Sequence, residues 1–459
     1  MPDALLNGPP RGFGLAKALR LAWPAARSAA GLVRRRAGAL QTRAVRAVAS
    51  PRTAAAIGGL AYALARRTRI PGAILPDVRS VLVIRLDQIG DVVLTSPFLR
   101  ELRNGLPQAW IGLVTNPVAH NLVELCPYVD EVITYDYRAK GRFADLILHV
   151  RALRLARSRL WGRRVDLALL PRWDVDSYHG AFLAYFSGAA RRVAYSEAVT
   201  PGKRVANRGM DRLLTDPIGT EPSAPAVRHE VLRNLDVLCS LGLPVVDDRL
   251  EVWLDDHDRE VARALLALPK VSSPGPLVAV APGAGSPRRV WPPNRFGAVA
   301  KRLRDAYAAR VVLLGGPGEE SLGEQAEAEC GGGVLNLVGK TSLRQCAAVL
   351  ERCHLFIGND SGPMHIAAAV GTPVVEVLCH PLGGAQEHPN SPLRFGPWGV
   401  PHRIMRPCAS APSCNAACTA GEAHCIRGVT VEEVEAAAVA LLEKAVGASG
   451  RHAGSQGGW

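Results

Sequence analysis

The sequence has no hydrophobic run long enough to cross a bilayer: the best candidate, residues 54–65, is about 12 residues where a span needs roughly 20. A secretory leader is not evident, because the early arginines are scattered instead of preceding one apolar block, and no small-residue cleavage site follows. Acidic residues are almost missing from the first 70 positions, where Asp3 stands against Lys17 and twelve arginines, a net charge of +12. The chain as a whole carries +14, so the remaining 389 residues are nearly neutral at +2. A nucleic-acid enzyme that spreads basic residues over its working face is therefore disfavoured. Paired Cys-x-x-Cys spacing is also lacking among the ten cysteines, and without a leader those thiols fit a reducing compartment.

What is present is ordinary globular material. Hydrophobic residues make up 48% and charged residues 21%, which excludes a mainly disordered chain. A length of 459 residues favours two or three domains. Residues 1–77 form a basic extension of broken amphipathic character, interrupted by Pro24, Pro51 and Pro71, with membrane-surface contact and a poorly ordered arm both open.

Beyond the extension the pattern becomes regular. Short β-branched apolar runs at 81–84, 110–115, 131–135, 165–170 and 192–195 read as buried parallel strands separated by helical stretches such as 92–103. A second series follows at 277–281, 311–315, 334–338, 355–357 and 374–378, with helices expected over 296–307, 343–351 and 366–370. The class is α/β with two doubly wound, Rossmann-like halves, 78–255 and 256–440, and a tail over 441–459. Linkers are expected at 216–225 and at the polar turn 255–258. In such sheets ligands sit beyond the carboxyl ends of the strands, so a cleft between the halves is the expected working site.

Two loops after strands carry the chemistry. In 358–365, Gly-Asn-Asp-Ser-Gly-Pro-Met-His, Asp360 or Ser361 suits a helix cap, Gly362 lets a diphosphate approach the backbone, and His365 could donate to a phosphate oxygen. In 282–293, Ser286 and the pair Arg288-Arg289 stand beside a glycine-rich turn suited to phosphate. Neither a Walker ending nor Gly-x-Gly-x-x-Gly occurs in that loop, which weakens kinase and dehydrogenase readings. On spacing alone, each loop could equally be a cap and a solvated turn.

The segment 89–97, Ile-Gly-Asp-Val-Val-Leu-Thr-Ser-Pro, together with 281–284, 290–292, 358–365 and Gly371-Thr-Pro-Val374, resembles glycosyltransferase family 9, the heptosyltransferases of lipopolysaccharide synthesis. The resemblance covers roughly residues 78–440. It implies a GT-B fold and inverting transfer that needs no metal cofactor. It also implies an acceptor domain first, then a domain for a nucleotide-sugar donor, ADP-heptose by analogy. By the same resemblance Asp91 is the catalytic base, Arg85 meets acceptor phosphates, and Ser286, Arg289, Asp360, Ser361, Gly362 and His365 hold the donor, with Glu319 on its ribose. The partners implied are the nucleotide sugar and a glycolipid acceptor at the membrane surface. Nucleic acid is not expected, and the protein would be cytoplasmic or peripheral at the cytoplasmic face of the inner membrane.

Two alternatives stay open: a sugar-nucleotide epimerase on the same scaffold, and a basic non-enzymatic protein binding nucleic acid or membrane. Two local features compete with these assignments. Asp174-Val175-Asp176 has the Asp-x-Asp form of metal-dependent transferases, although the resemblance needs no metal there. Cys408, Cys414, Cys418 and Cys425, with His424, are either a zinc site or reduced thiols of a surface loop.

Overall fold

The computed structural model describes residues 77–139, 144–220, 227–268, 275–386, 388, 390–411, 414 and 421–453. Its frame is two six-stranded parallel sheets. The first holds β1 (Ser80–Arg85), β2 (Trp110–Thr115), β3 (Glu131–Thr134), β4 (Leu167–Leu170), β5 (Arg191–Tyr195) and β6 (Asp216–Ile218), in the order β3-β2-β1-β4-β5-β6. The second holds β7 (Leu277–Ala281), β8 (Arg310–Leu313), β9 (Leu335–Asn336), β10 (Leu355–Asn359), β11 (Val374–Val377) and β12 (His402–Met405), in the order β12-β11-β10-β7-β8-β9. Counted within each half, both orders are 3-2-1-4-5-6. The direction of winding therefore reverses between β1 and β4 and again between β7 and β10, where a doubly wound sheet opens its crevice.

The reason these runs form central strands is visible in β1, where all six positions are buried. Strands covered on both faces need continuous apolar sequence, and Val81-Leu82-Val83-Ile84 supplies it. Helix α1 (Ile89–Val93) and helix α2 (Ser96–Gly105) follow β1. One helix over 92–103 was the expectation. Pro97, which has no N–H to give, instead starts α2 in its first turn, and Thr95 donates its hydroxyl to the Asp91 carbonyl at 2.7 Å. Phe98, Leu99 and Leu102 of α2 are at most 1% exposed, each side chain worth about 1.5–3 kcal/mol on burial.

The expected linkers take other forms. Asp216–Ile218 is edge strand β6, paired with β5, while 221–226 lie outside the described residues. Asp255 and Asp258 form the reciprocal capping box that begins the helix Asp256–Leu266, with Asp255 Oδ1 accepting from the Asp258 N–H at 2.8 Å. At the other end the expected tail from 441 is helix: Val431–Ala453 is continuous, and Leu441 and Leu442 are 2% exposed in the core of the second sheet. The basic extension lies outside the described residues as far as residue 76. No helix among the described residues is long and apolar enough to cross a membrane.

Candidate active site

The first sheet delivers acids to the crevice and holds them with arginines. β1 ends at Arg85, which is 1% exposed. Its Nε lies 2.9 Å from Asp87 Oδ2 and its Nη2 donates to Asp91 Oδ1 at 3.1 Å. Its Nη1 donates to Asn234 Oδ1 at 3.2 Å and to the Pro171 carbonyl. Asp87 is paired on its other side with Arg172. Asp91 stands in α1 at the cleft wall. Burial raises its pKa, Arg85 opposes that, and Glu230 adds to it, leaving the carboxyl above the ordinary value. Arg85, expected at acceptor phosphates, has its guanidinium committed to Asp87, Asp91, Asn234 and a carbonyl. It lines the cleft beside Asp91.

The second sheet delivers amides and one ion pair. Because β7 and β10 are neighbours, their following loops lie side by side, and Asn359 joins them. Its amide N–H groups reach the Pro282 and Gly283 carbonyls at 2.9 and 3.2 Å, while its Oδ1 accepts from the Trp291 N–H at 3.0 Å. Trp291 is fully buried, packs edge-on to Phe296 at 4.8 Å, and donates its indole N–H to the Val429 carbonyl at 2.9 Å. The loop before it is thus pinned, and Arg289 meets Asp360 at 2.9 Å.

Helix α3 (Gly362–Ala369) starts at this corner with Pro363 in its first turn. Its amides form an anion-attracting end, and two polar atoms beside them are buried without a partner: Ser361 Oγ and His365 Nδ1. Each such atom costs about 1–3 kcal/mol until something bonds to it, which marks the corner as built for a polar ligand. Burial pulls the His365 pKa down to about 4, so near neutral pH the imidazole is uncharged and acts through a neutral N–H or lone pair. Glu319 accepts from the Gly316 N–H at 2.7 Å and rests its carboxylate against Gly283. Sequence reasoning missed Glu376 on β11, 1% exposed, whose proton is held well above the usual carboxylate range by burial and the nearby Asp360 charge. A glutamate inside a strand of otherwise apolar residues, Val-Val-Glu-Val, was the available signal.

The halves meet where α1 faces α3. A Cβ built on Gly90 would lie 2.4 Å from His365 Cδ2, and one on Gly362 would lie 2.9 Å from Ile89 Cγ2, so glycine at both positions is what allows the approach. A cleft of about 850 Å³ opens there. Asp91, Arg289, Glu319, Asp360, Ser361, Gly362 and His365 all line it. Ser286 does not; its carbonyl accepts from the Arg289 N–H at 2.9 Å, closing the turn that aims Arg289.

A second tie crosses between the halves. Arg394, 1% exposed in the short helix Pro392–Phe395, reaches Glu230 at 2.8 Å and Asp174 at 3.2 Å. Burial works to raise the Asp174 pKa, but Arg394 and the Val175 N–H outweigh it and hold the carboxyl below its ordinary value. Asp176 spends its carboxylate on the N–H groups of Gly180 and Ala181, at 3.1 and 3.0 Å, starting the helix Gly180–Phe186. The Asp-x-Asp form is therefore one inter-half ion pair and one helix cap. The cysteine cluster also regroups: Cys408 is exposed and apart, Cys418 lies outside the described residues, and Cys414, His424 and Cys425 converge, their ligand atoms within 4.8 Å of one another.

Similarity to known proteins agrees with this arrangement. The profile described as glycosyltransferase family 9 (heptosyltransferase) matches residues 199–422. The chain is 27% identical over 301 residues to the lipopolysaccharide heptosyltransferase 2 of Escherichia coli K12, covering 64% of this chain and 81% of that protein. Among solved structures, the glycosyl transferase family 9 protein from Veillonella parvula superposes with a TM-score of 0.64 at 22% identity, covering 81% of this chain and 99% of that one. The E. coli ADP-heptose lps heptosyltransferase II does so with 0.60 at 23% identity, covering 80% and 99%. Two parallel doubly wound sheets facing across a cleft give the chain a GT-B fold, and these relatives make it similar to the family 9, heptosyltransferase-like glycosyltransferases.

Proposed function

We propose that the protein transfers heptose from ADP-heptose to a hydroxyl of a lipopolysaccharide-core or related glycolipid, with inversion at the anomeric carbon and without a metal in the reaction. The named relative acts on lipopolysaccharide and supplies the substrate class. In this scheme residues 78–255 receive the acceptor and 256–440 hold the donor.

One observation carries the reading: Asp91 and the Arg289, Asp360, Ser361 and His365 corner line the same cleft, with Gly90, next to Asp91, against the His365 ring. Asp91 takes the proton of the acceptor hydroxyl as that oxygen attacks the anomeric carbon. The carbon–oxygen bond to the diphosphate breaks with its electrons on the leaving group. Arg289, the first-turn amides of α3, Ser361 and neutral His365 receive that negative charge, the task a metal performs elsewhere. Glu319, beside Gly283 and Gly316, is placed for ribose hydroxyls. An acceptor displayed on an anionic leaflet would suit the basic extension, whose first 70 residues carry +12.

The test is Asp91→Ala, assayed for transfer and, by calorimetry, for ADP binding. Transfer should fall by at least about 100-fold with binding retained. Turnover within a few fold of the parent would refute the assignment, and ADP failing to bind the parent enzyme would refute the donor.

A further inference from the structure

Behind the donor loop lies a separate cavity of about 250 Å³, lined by Arg288, His380, His388, Cys414, His424 and Cys425 among others. It is distinct from the catalytic cleft, and the transfer chemistry makes no use of it. Three soft donors converge on it: the ligand atoms of Cys414, His424 and Cys425 lie within 4.8 Å of one another. Two thiols and an imidazole are the donor set of a borderline-soft, tetrahedral cation, and metal bonds of about 2.3 Å to sulfur and 2.0 Å to nitrogen need only a modest contraction of this trio.

Two further observations point the same way. His380, 5% exposed, has its Nε2 buried without a partner in that cavity, stacked 5.1 Å from His388. The Ala411 N–H donates to Cys425 Sγ at 3.2 Å, the outer bond that stabilises a thiolate ligand.

We propose that Cys414, His424 and Cys425 bind a zinc-class divalent cation, with His380 the donor available for the fourth position. The role is structural. Cys425 begins the turn Cys425–Gly428, and the Val429 carbonyl just beyond holds the Trp291 indole at 2.9 Å. Trp291 in turn fixes the loop that carries Arg289. A cation at Cys425 therefore braces the donor loop from behind, without entering the reaction.

The experiment uses the full-length protein, purified under reducing conditions, stripped with a chelator and titrated with Co2+ alone. The expected result is saturation at about one Co2+ per chain, with thiolate-to-cobalt charge transfer and the visible bands of a tetrahedral site. Zn2+ should displace it and shield Cys414 and Cys425, but not Cys239, from alkylation mapped by mass spectrometry. Cys414→Ser and Cys425→Ser should abolish the charge-transfer band, while Cys239→Ser keeps it. A Co2+ spectrum without thiolate character, or equal alkylation of Cys414 and Cys425 with and without Zn2+, would overturn the site. The alkylation arm uses the parent chain, so it decides even where a serine variant fails to fold.

Discussion

The two sheets share one strand order yet furnish their crevices in opposite ways. At the β1/β4 reversal the polar groups are carboxylates, Asp87, Asp91 and Asp174, each held by a buried or half-buried arginine. At the β7/β10 reversal they are amides, a hydroxyl and an imidazole, with the Arg289–Asp360 pair the ionic contact. Under the proposed function, the same backbone opening would take a proton on one side and receive an anion on the other. Topology sets where the sites lie, and side-chain charge sets what each can do.

That division can be attacked directly. Gly90→Ala strikes the contact between the two corners: the new methyl group would displace the His365 ring, and kcat should fall about 100-fold with the unfolding temperature little changed. Unaltered kcat would show that the corners work independently. Arg289→Ala tests the anion side alone. Losing a charge-assisted hydrogen bond of about 1.5–3 kcal/mol should weaken ADP binding about 10- to 100-fold, measured by calorimetry. Should kcat collapse with ADP affinity intact, the assignment of roles would be reversed.

The pH profile tests the proton side. Asp91 must be ionised to act, and its pKa is raised, so kcat/KM should climb with pH through a limb lying above the ordinary aspartate value of 3.8. A limb at or below that value would remove Asp91 from the role. The smallest effect concerns Glu376. Its folded pKa is raised, so its contribution to stability is complete below the usual 4.5 and is lost as pH climbs through the folded value. Glu376→Gln should therefore match the parent in acid and exceed it by about 2 °C in unfolding temperature under alkaline conditions. A parent chain that gains on the variant with rising pH would contradict this.

Central strands were legible because burial on both faces demands uninterrupted apolar sequence, as in 81–84 and 277–281. The edge strands β6 and β12 were not. Three residues containing Pro217, and a strand beginning with exposed His402 and Arg403, lack that signature. Motif loops at 89–97 and 358–365 were readable because glycine, proline and acid at fixed offsets satisfy local backbone geometry. The work of Arg85, Arg394 and Glu376 was not, since each acts through partners brought near only by folding: Arg394 meets Glu230 across 164 positions of chain. The cysteines show the same limit, as spacing grouped Cys408 with Cys414, His424 and Cys425 while the fold brings only the last three together among the described residues.

Between the halves, the Gly90–His365 approach and the Arg394–Glu230 bridge are joined by a further tie: Arg344 pairs with Glu124 and gives its backbone N–H to Asn121 at 3.2 Å. An opening motion must stretch any tie that lies off its axis. Asn121 and the 341–343 turn beside Arg344 line the cleft together with Glu319, so widening the entrance on that side draws on an ion pair that salt would weaken.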